Sequence, residues 1–242
     1  MSVTTASSVR RVGLVIENGI ARFPDGILPG AIDCGFTTCK FGNMSLKYGG
    51  AEEVQENRRR AYGSLDMSPY DIVAMIPVFG GKVAIVSKED RGREIEGFDA
   101  LLTRNRHVGL GLRSGDCPPV LMYENRNPES FLGMVHGGLR ALENRILANT
   151  ICEAHRAFHV APSRMALVIC PGIGTCCYMH DLVGIIVNQA SECGINVGNV
   201  IVADVCTACS QDEKKQYIFA SHWRSGLKSE AEARSLAVAM LR

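Results

Sequence analysis

The chain has 242 residues, of which 46% are apolar and 21% are charged, and its formal net charge is +1. An apolar share near one half with balanced charge is typical of a packed globular protein and excludes a disordered chain. A near-neutral charge also excludes a general electrostatic attraction to nucleic acid or to a membrane surface. At about 150 residues per domain, this length predicts one large domain or two small ones.

The ten cysteines raise the question of the redox compartment. The apolar run at 12–16 is too short for a secretory signal, and the sequence has no run of about 18 apolar residues that would predict a membrane-spanning helix. We therefore expect a cytoplasmic protein, because thiols stay reduced there and disulfides are rare. Most of the cysteines are then small buried side chains, and a few are reactive or metal-bound.

Short apolar runs bounded by Gly, Pro or Asn predict buried strands. In chain order these runs lie at 12–16, 82–86, 107–112, 120–123, 131–135, 165–169 and 200–205. Apolar residues at three- and four-residue spacing predict one helix over 139–158 and another over 181–193. A capping box formed by Ser229 and Glu232 predicts a last helix that continues to the end of the sequence.

The mixed order of these elements predicts an α+β (α/β) fold of layered mixed β-sheets flanked by helices. No linker or repeat divides the sequence, so we expect a single domain over 1–242. Residues 1–11 are polar and are expected to form a flexible N-terminal extension.

Three turns marked by Gly or Pro border predicted strands and carry reactive side chains. The first, SGDCPP at 114–119, places Cys117 on a backbone that two prolines make rigid. The second, VHGGLR at 135–140, places His136 where a strand ends and a helix begins. We expect this His to be exposed at a sheet edge, the two glycines to admit close approach of another group, and the helix start to favour an anion. The third turn, at 171–178, follows a strand and contains two adjacent cysteines.

Each turn also has a purely structural interpretation, because a lone Cys or His is more often a packed or hydrogen-bonded group than a catalytic one. Their common position at strand ends favours a functional site, since such sites gather in loops held by a rigid scaffold.

The same turns resemble the motifs of the laccase-domain (polyphenol oxidase-like) family. GDCPPVL at 115–121 is similar to the family's A-D-C-x-P-V, VHGGLR at 135–140 to its V-H-A-G-W-R-G, and GIGTCCY at 172–178 to its I-G-P-C-C-Y. Weaker similarities extend over nearly the whole chain, at GFTT (35–38), ENR (56–58), CT (206–207) and FASH (219–222). Members of the family were described first as multicopper oxidases and later as zinc-dependent purine nucleoside phosphorylases.

The resemblance implies a transferase that cleaves adenosine or inosine with phosphate at a zinc site. The family's zinc ligands are two His and one Cys, a set that zinc binds with one position left open. Cys117 and His136 match two of them, whereas Phe79 stands where the other His belongs. We therefore expect zinc at an incomplete site, with His180 and His222 as open candidates for the missing ligand. A multicopper centre is disfavoured, because these few ligands at one site do not make one.

The resemblance also assigns roles to residues near the motifs, since phosphate requires cations and a purine requires a stacking ring. The residues so assigned are Cys117, His136 and Arg140 as catalytic groups, Lys40, Asn57, Phe79, Tyr178 and Arg224 as substrate-binding groups, and Cys117 and His136 as metal ligands. The expected partners are a purine nucleoside and phosphate, with a homodimer left open, and neither nucleic acid nor a membrane is expected.

Other interpretations remain open beside this one. A Cys117 thiolate assisted by His136 would form a metal-free nucleophile–base pair of the cysteine hydrolase type. A diverged, inactive member would bind a nucleoside or a protein partner, and Phe79 favours that alternative. A zinc knot that combines Cys206-x-x-Cys209 with the cysteines at 176–177 is disfavoured, because adjacent cysteines make a poor half-site.

Overall fold

In residues 9–228 and 231–242, which the computed structural model describes, the chain forms strands and α-helices in mixed order. The strands are β1 (Arg10–Val12), β2 (Val15–Glu17), β3 (Ile20–Arg22), β4 (Ile32–Thr37), β5 (Ile72–Ile76), β6 (Val83–Ile85), β7 (Glu94–Glu96), β8 (Ala100–Thr103), β9 (Gly109–Ser114), β10 (Pro119–Glu124), β11 (Leu132–His136), β12 (Met165–Ile169), β13 (Val200–Ala203) and β14 (Ser235–Leu241). The helices are α1 (Ala51–Gly63), α2 (Leu139–Glu143), α3 (Ile146–Phe158), α4 (Leu182–Glu192) and α5 (His222–Lys228).

The strands form two mixed sheets. The first sheet has the order β1-β13-β12-β10-β11-β8-β6, and the second has the order β2-β3-β4-β14-β9-β5-β7. In the first sheet β10 pairs antiparallel with both β11 and β12, whereas β12 and β13 run parallel. The loops that follow β12 and β13 therefore leave the same edge of that sheet.

The two sheets pack face to face, and helices cover their outer faces. Along β10, Val120 and Met122 pack against α3 and α4, whereas Leu121 and Tyr123 face the second sheet. The outer face of the second sheet packs against α1. Such alternation arises because successive side chains of a strand point to opposite faces. The α+β fold of layered mixed sheets with flanking helices is thus confirmed.

The predicted last helix is wrong, because residues 235–241 form strand β14 at the centre of the second sheet. Leu236 and Val238 face α1, and Ala237 and Ala239 face the first sheet. A strand that is buried on both faces is apolar at every position, so its periodicity does not separate it from a helix. Ser229 of the predicted capping box lies outside the described residues, and α5 ends just before it.

The predicted helix over 139–158 is also wrong in one respect, because it is divided into α2 and α3. Arg145 has a left-handed backbone (φ 60°) between them. Two side-chain amides near the break hold a neighbouring loop: Asn144 donates to the carbonyl of Phe79 (3.0 Å), and Asn149 to that of Gly81 (2.8 Å). With five residues, α2 is too short to provide the expected anion site at its start.

The N-terminal prediction is only partly testable, since residues 1–8 lie outside the described residues. Arg10 and Arg11 belong to β1, which pairs in parallel with β13. The predicted strand over 12–16 is divided between β1 and β2, which belong to different sheets. None of the described helices is both long and apolar enough to cross a membrane.

Candidate functional site

Cys117 and His136 are brought together by the pairing of β10 with β11. Pro119 lies opposite His136 in the ladder, and the amide of Gly137 donates to the carbonyl of Pro118 (2.9 Å). The imidazole of His136 is hydrogen-bonded to Cys117. A Cβ atom on Gly138 would lie 2.9 Å from both the Cys117 sulfur and His136 Nε2. The glycines therefore admit the close approach that their sequence position predicts.

His136 is buried, with 3% of its surface exposed, so the expectation of an exposed side chain at a sheet edge is wrong. The physical reason is the position of β11, which lies inside the first sheet between β10 and β8. A buried imidazole needs hydrogen-bond partners on both nitrogens, and the surroundings of His136 supply them.

Asp99 is the second partner of His136, and the sequence analysis missed it. Its Oδ1 atom lies 2.9 Å from His136 Nδ1, and its backbone carbonyl accepts the amide of His136 (2.8 Å). Asp99 precedes β8, the strand paired with β11, which places it beside the last residue of β11. The signal in the sequence was an acidic residue directly before the apolar run ALLT at 100–103.

The carboxylate of Asp99 also organises the loop before β6. It accepts the amides of Val78 (3.3 Å), Phe79 (2.9 Å) and Gly80 (2.8 Å). Burial raises the pKa of Asp99, but the bonds from His136 and from these amides outweigh burial and leave the pKa below its usual value. The carboxylate therefore stays ionised and fixes both the loop and the imidazole.

The imidazole of His136 is held as a cation between two acceptors. Burial lowers its pKa, but the hydrogen bonds to Asp99 and Cys117 outweigh burial and raise the pKa to about 9. With Nδ1–H donated to Asp99, the remaining Nε2–H faces Cys117. The resulting Cys–His–Asp chain has the geometry of a nucleophile, a base and an orienting acid.

Phe79 occupies the position of the expected first zinc ligand. Its ring centroid lies 5.1 Å from that of His136 in an edge-on arrangement, and 48% of its surface is exposed. Its backbone is left-handed (φ 58°) and is fixed by the bond to Asp99. A phenyl ring has no lone pair to offer a metal, so this position supplies no ligand.

The donor set at Cys117 and His136 does not fit the zinc that the family implies. Within residues 9–228 and 231–242, the one set of three or more ligands that converges lies elsewhere. The ring of His180 lies tilted against that of Tyr178 (5.3 Å between centroids), and His222 is bonded to Glu232, so neither completes the site. Catalytic zinc requires about three protein ligands, and we derive no chemical step through a metal at this centre.

Asp116, directly before Cys117, joins three loops at the site. Its backbone has a positive φ of 90°, a strained conformation for a residue with a side chain. Its carboxylate accepts the hydroxyls of Thr207 (2.6 Å) and Ser221 (3.0 Å) and the amide of Trp223 (2.7 Å). These bonds hold Cys117 between the loop after β13 and the start of α5.

The remaining predicted residues divide into two groups. Arg140 and Lys40 are exposed, and Tyr178 is half-buried with its ring 5.3 Å from that of Trp223. Asn57 and Arg224 are buried and bound to backbone. Asn57 donates to the carbonyl of Asn43 (3.1 Å). Arg224 donates to the carbonyls at 207, 208 and 219.

Four cysteines that the sequence treated as a disfavoured combination also converge. Cys176, Cys177, Cys206 and Cys209 place their sulfur atoms within 4.8 Å of one another, and such a set could hold a metal ion. All ten cysteines are free thiols in this structure. The adjacency of the cysteines at 176–177 is therefore compatible with a shared site.

The sequence profile described as multi-copper polyphenol oxidoreductase laccase matches residues 35–180. The chain is 31% identical over 147 residues to purine nucleoside phosphorylase YlmD of Geobacillus stearothermophilus, which covers 57% of this chain and 53% of that protein. It is 30% identical over 150 residues to purine nucleoside phosphorylase ORF3 of Streptomyces griseus, with 60% and 59% covered. The matches therefore span between half and two thirds of each relative's length.

Solved structures share the fold over nearly the whole chain. YlmD of Geobacillus stearothermophilus has a TM-score of 0.85 at 24% identity, covering 96% of this chain and 99% of that chain. YfiH of Bacillus licheniformis, described as a hypothetical protein, has a TM-score of 0.81 at 20% identity, covering 93% and 97%.

Proposed function

Because the chain belongs to the multi-copper polyphenol oxidoreductase laccase family, we propose that it cleaves purine nucleosides with phosphate at the Cys117–His136 centre. Relatives named purine nucleoside phosphorylase support this substrate class. In the reaction a phosphate oxygen bonds to C1′ of the ribose while the bond from C1′ to the purine nitrogen breaks. The bonding electrons leave with the purine, which must take up a proton.

The observation that carries the proposal is the buried position of His136 between Asp99 (2.9 Å) and Cys117. With a pKa raised to about 9, His136 is protonated at neutral pH, although burial opposes the charge. Cys117 is half-buried, whereas His136 is buried, so the pair is open to solvent at Cys117. We assign this proton to the leaving purine, with Asp99 holding the imidazole in place. General acid catalysis of this kind typically contributes about 10²–10⁴-fold in rate.

Aromatic side chains near the centre suit the purine. The ring of Phe79 lies against His136 and is half exposed. Trp223 is 39% exposed, packs edge-on against Tyr178, and is tied through its amide to Asp116. Such rings bind a planar base by stacking.

Arg140 suits the phosphate. It lies in the first turn of α2, four residues after His136, and is exposed. A guanidinium can bind two phosphate oxygens at once. Lys40 is a second exposed cation. Asn57 and Arg224 donate to backbone carbonyls, and in this proposal they hold the loops at 43 and 207–208 in place.

The test measures release of free base from adenosine and inosine, with and without phosphate. We expect base and ribose 1-phosphate from the wild type only when phosphate is present. Cys117→Ser and His136→Gln should lower the rate by about 100-fold or more, because both hold the donated proton. The matched controls Cys152→Ser and His155→Gln, on the exposed side of α3, should retain the wild-type rate.

A cysteine-dependent hydrolase is the second candidate, favoured by the Cys117–His136–Asp99 chain and by the strained Asp116 before the sulfur. It predicts turnover that is independent of phosphate and selective alkylation of Cys117 over Cys152. A diverged binding protein would bind a nucleoside without any turnover. Base release that does not depend on phosphate, or none at all, would contradict phosphorolysis.

We further propose the cytoplasm as the setting of this activity. All ten cysteines are free, and a reducing compartment preserves free thiols. Retention of activity in reducing buffer, with loss on oxidation, is the expected outcome.

A further inference from the structure

A second cluster of reactive side chains lies outside the Cys117–His136 centre. Cys176 and Cys177 belong to the loop after β12, and Cys206 and Cys209 to the loop after β13. Since β12 and β13 are parallel neighbours, both loops leave the same sheet edge. The four sulfur atoms lie within 4.8 Å of one another.

Backbone hydrogen bonds fix the two loops against each other. Gly172 and Cys206 form a parallel bridge, and the amide of Thr207 donates to the carbonyl of Gly172 (3.0 Å). The turn from Cys206 to Ser210 is closed by a bond from the Ser210 amide to the Cys206 carbonyl (3.0 Å). This turn places Cys206 and Cys209 on one side, facing the cysteines at 176–177.

A backbone amide contacts the innermost sulfur. The amide of Gly174 donates to Cys206 Sγ (3.2 Å). Hydrogen bonds from surrounding groups orient metal ligands and tune their charge. The loop after β12 therefore helps to hold the sulfur of Cys206 in place.

We propose that Cys176, Cys177, Cys206 and Cys209 bind one zinc ion through four thiolates. Zinc binds four cysteines as a tetrahedron with Zn–S distances of about 2.3 Å, which sets the sulfurs about 3.8 Å apart. The sulfurs of Cys176 and Cys209 are already 3.5 Å apart, and no pair exceeds 4.8 Å. Closing the tetrahedron thus requires side-chain shifts of about 1 Å.

Two simpler explanations account poorly for this cluster. Packing of apolar thiols does not explain it, because Cys176 and Cys209 are exposed. A disulfide between those two would use only two of the four sulfurs and leave the buried Cys206 unused. A single tetrathiolate ion uses all four.

The zinc would position the neighbouring centre without taking part in its chemistry. The loop after β12 is bonded to the carbonyl of Asp116 through the Ile173 amide (2.8 Å). The loop after β13 is bonded to the carboxylate of Asp116 through Thr207. Tying these loops together fixes the residue that precedes Cys117.

The test is zinc content by elemental mass spectrometry of the full chain, purified in reducing buffer without chelator. We expect one zinc per chain in the wild type, and loss of that zinc in Cys176→Ser and Cys209→Ser. Cys152→Ser, an exposed thiol outside the cluster, and Cys117→Ser should both keep the zinc. The Cys117 variant separates this site from the centre of the proposed function, so the result does not depend on turnover.

A second measurement covers the case in which a variant fails to fold. Wild-type protein loaded with Co²⁺ should show thiolate-to-cobalt charge-transfer bands and the intense visible bands of a tetrahedral site. Zinc absent from the wild type together with no cobalt spectrum would overturn the proposal. So would zinc that is lost in Cys117→Ser and kept in Cys209→Ser, or a disulfide between Cys176 and Cys209 in protein purified under reducing conditions.

Discussion

Asp99 sets the charge of the candidate centre. It is wholly buried, yet it accepts hydrogen bonds from His136 and from three successive loop amides. Removing its charge would leave the imidazole of His136 without an ionised partner and would release the loop that carries Phe79. One carboxylate therefore supports both the proton of His136 and the position of the ring beside it.

Asp99→Asn tests this role directly. We expect a loss of about 3 kcal/mol in the free energy of unfolding, because a buried charged pair loses one member. Chemical denaturation measures the loss. The matched control is Asp204→Asn, which removes an exposed pair with Arg11 and should change stability by less than about 0.5 kcal/mol. Equal effects of the two substitutions would contradict the role of Asp99.

The raised pKa of His136 predicts how stability depends on pH. The folded-state pKa of about 9 lies above the usual 6.5, so the folded state binds this proton more tightly than the unfolded state. The stabilisation is therefore fully present below about pH 6.5 and is lost as pH rises through about 9, a difference of about 3 kcal/mol. Denaturation of His136→Gln over the same range should lack this component. Parallel pH curves for wild type and variant would show that His136 is not held as a cation.

At the residue scale, the sequence predicted the Cys117–His136 contact but not its charge state. The motifs at 115–121 and 135–140 identified both residues through local patterns. Asp99 lies 37 positions from His136, and its role depends on the pairing of β8 with β11, which no local pattern shows. The burial of His136 was missed for the same reason, since it depends on which strands lie beside β11.

At the scale of elements, the turn from β11 to α2 lets Cys117 approach His136 because the turn contains glycines. The β10–β11 ladder places the Cys117 loop against this turn, and a side chain at 138 would enter the space between the sulfur and the imidazole. The pattern VHGGLR was sufficient to predict this close approach. The turn at 114–119 singled out Cys117, but its pairing with His136 was expected only from the family resemblance.

Gly138→Ala is expected to force Cys117 and His136 apart, since its Cβ would lie 2.9 Å from both side chains. We expect a loss of about 1–3 kcal/mol, as for other overpacked sites, together with loss of the hydrogen bond between the two residues. Denaturation and a titration of His136 by NMR measure these effects. Gly13→Ala is the control, because a Cβ there has no atom within 4 Å. If His136 titrates at the same pH in Gly138→Ala as in the wild type, the close packing around Gly138 is contradicted.

Strand β14 lies where the sequence pattern predicted a helix, and its burial offers a second test at this scale. The side chain of Val238, on β14, is fully buried against α1, whereas that of Val15, on β2, is exposed. Val238→Ala should therefore cost about 2 kcal/mol of unfolding free energy. Val15→Ala, the same chemical change, should cost less than about 0.5 kcal/mol. Similar costs would contradict a central position for residues 235–241.

At the scale of the whole molecule, two layered sheets bring distant loops to one region. The loop after β9 carries Cys117, the loop before β6 carries Phe79, and the loops after β12 and β13 carry the four-cysteine cluster. Asp116 and Asp99 join these loops by hydrogen bonds. The layered fold was predictable from the mixed order of apolar runs, but the assembly of the cysteines was not, because it depends on the parallel pairing of β12 with β13.

In the proposed reaction, the proton held by Cys117 and His136 drives phosphorolysis without a metal at that centre. The most direct test is the pH dependence of kcat/KM for ribose 1-phosphate formation from inosine, in the wild type and in Asp99→Asn. We predict that the wild-type rate falls as pH rises through about 9, following the pKa of His136. In Asp99→Asn this fall should move to lower pH, because the carboxylate that raises the pKa is gone. A wild-type rate that stays constant through pH 9, or a fall at the same pH in both proteins, would show that the proton of His136 does not drive the reaction.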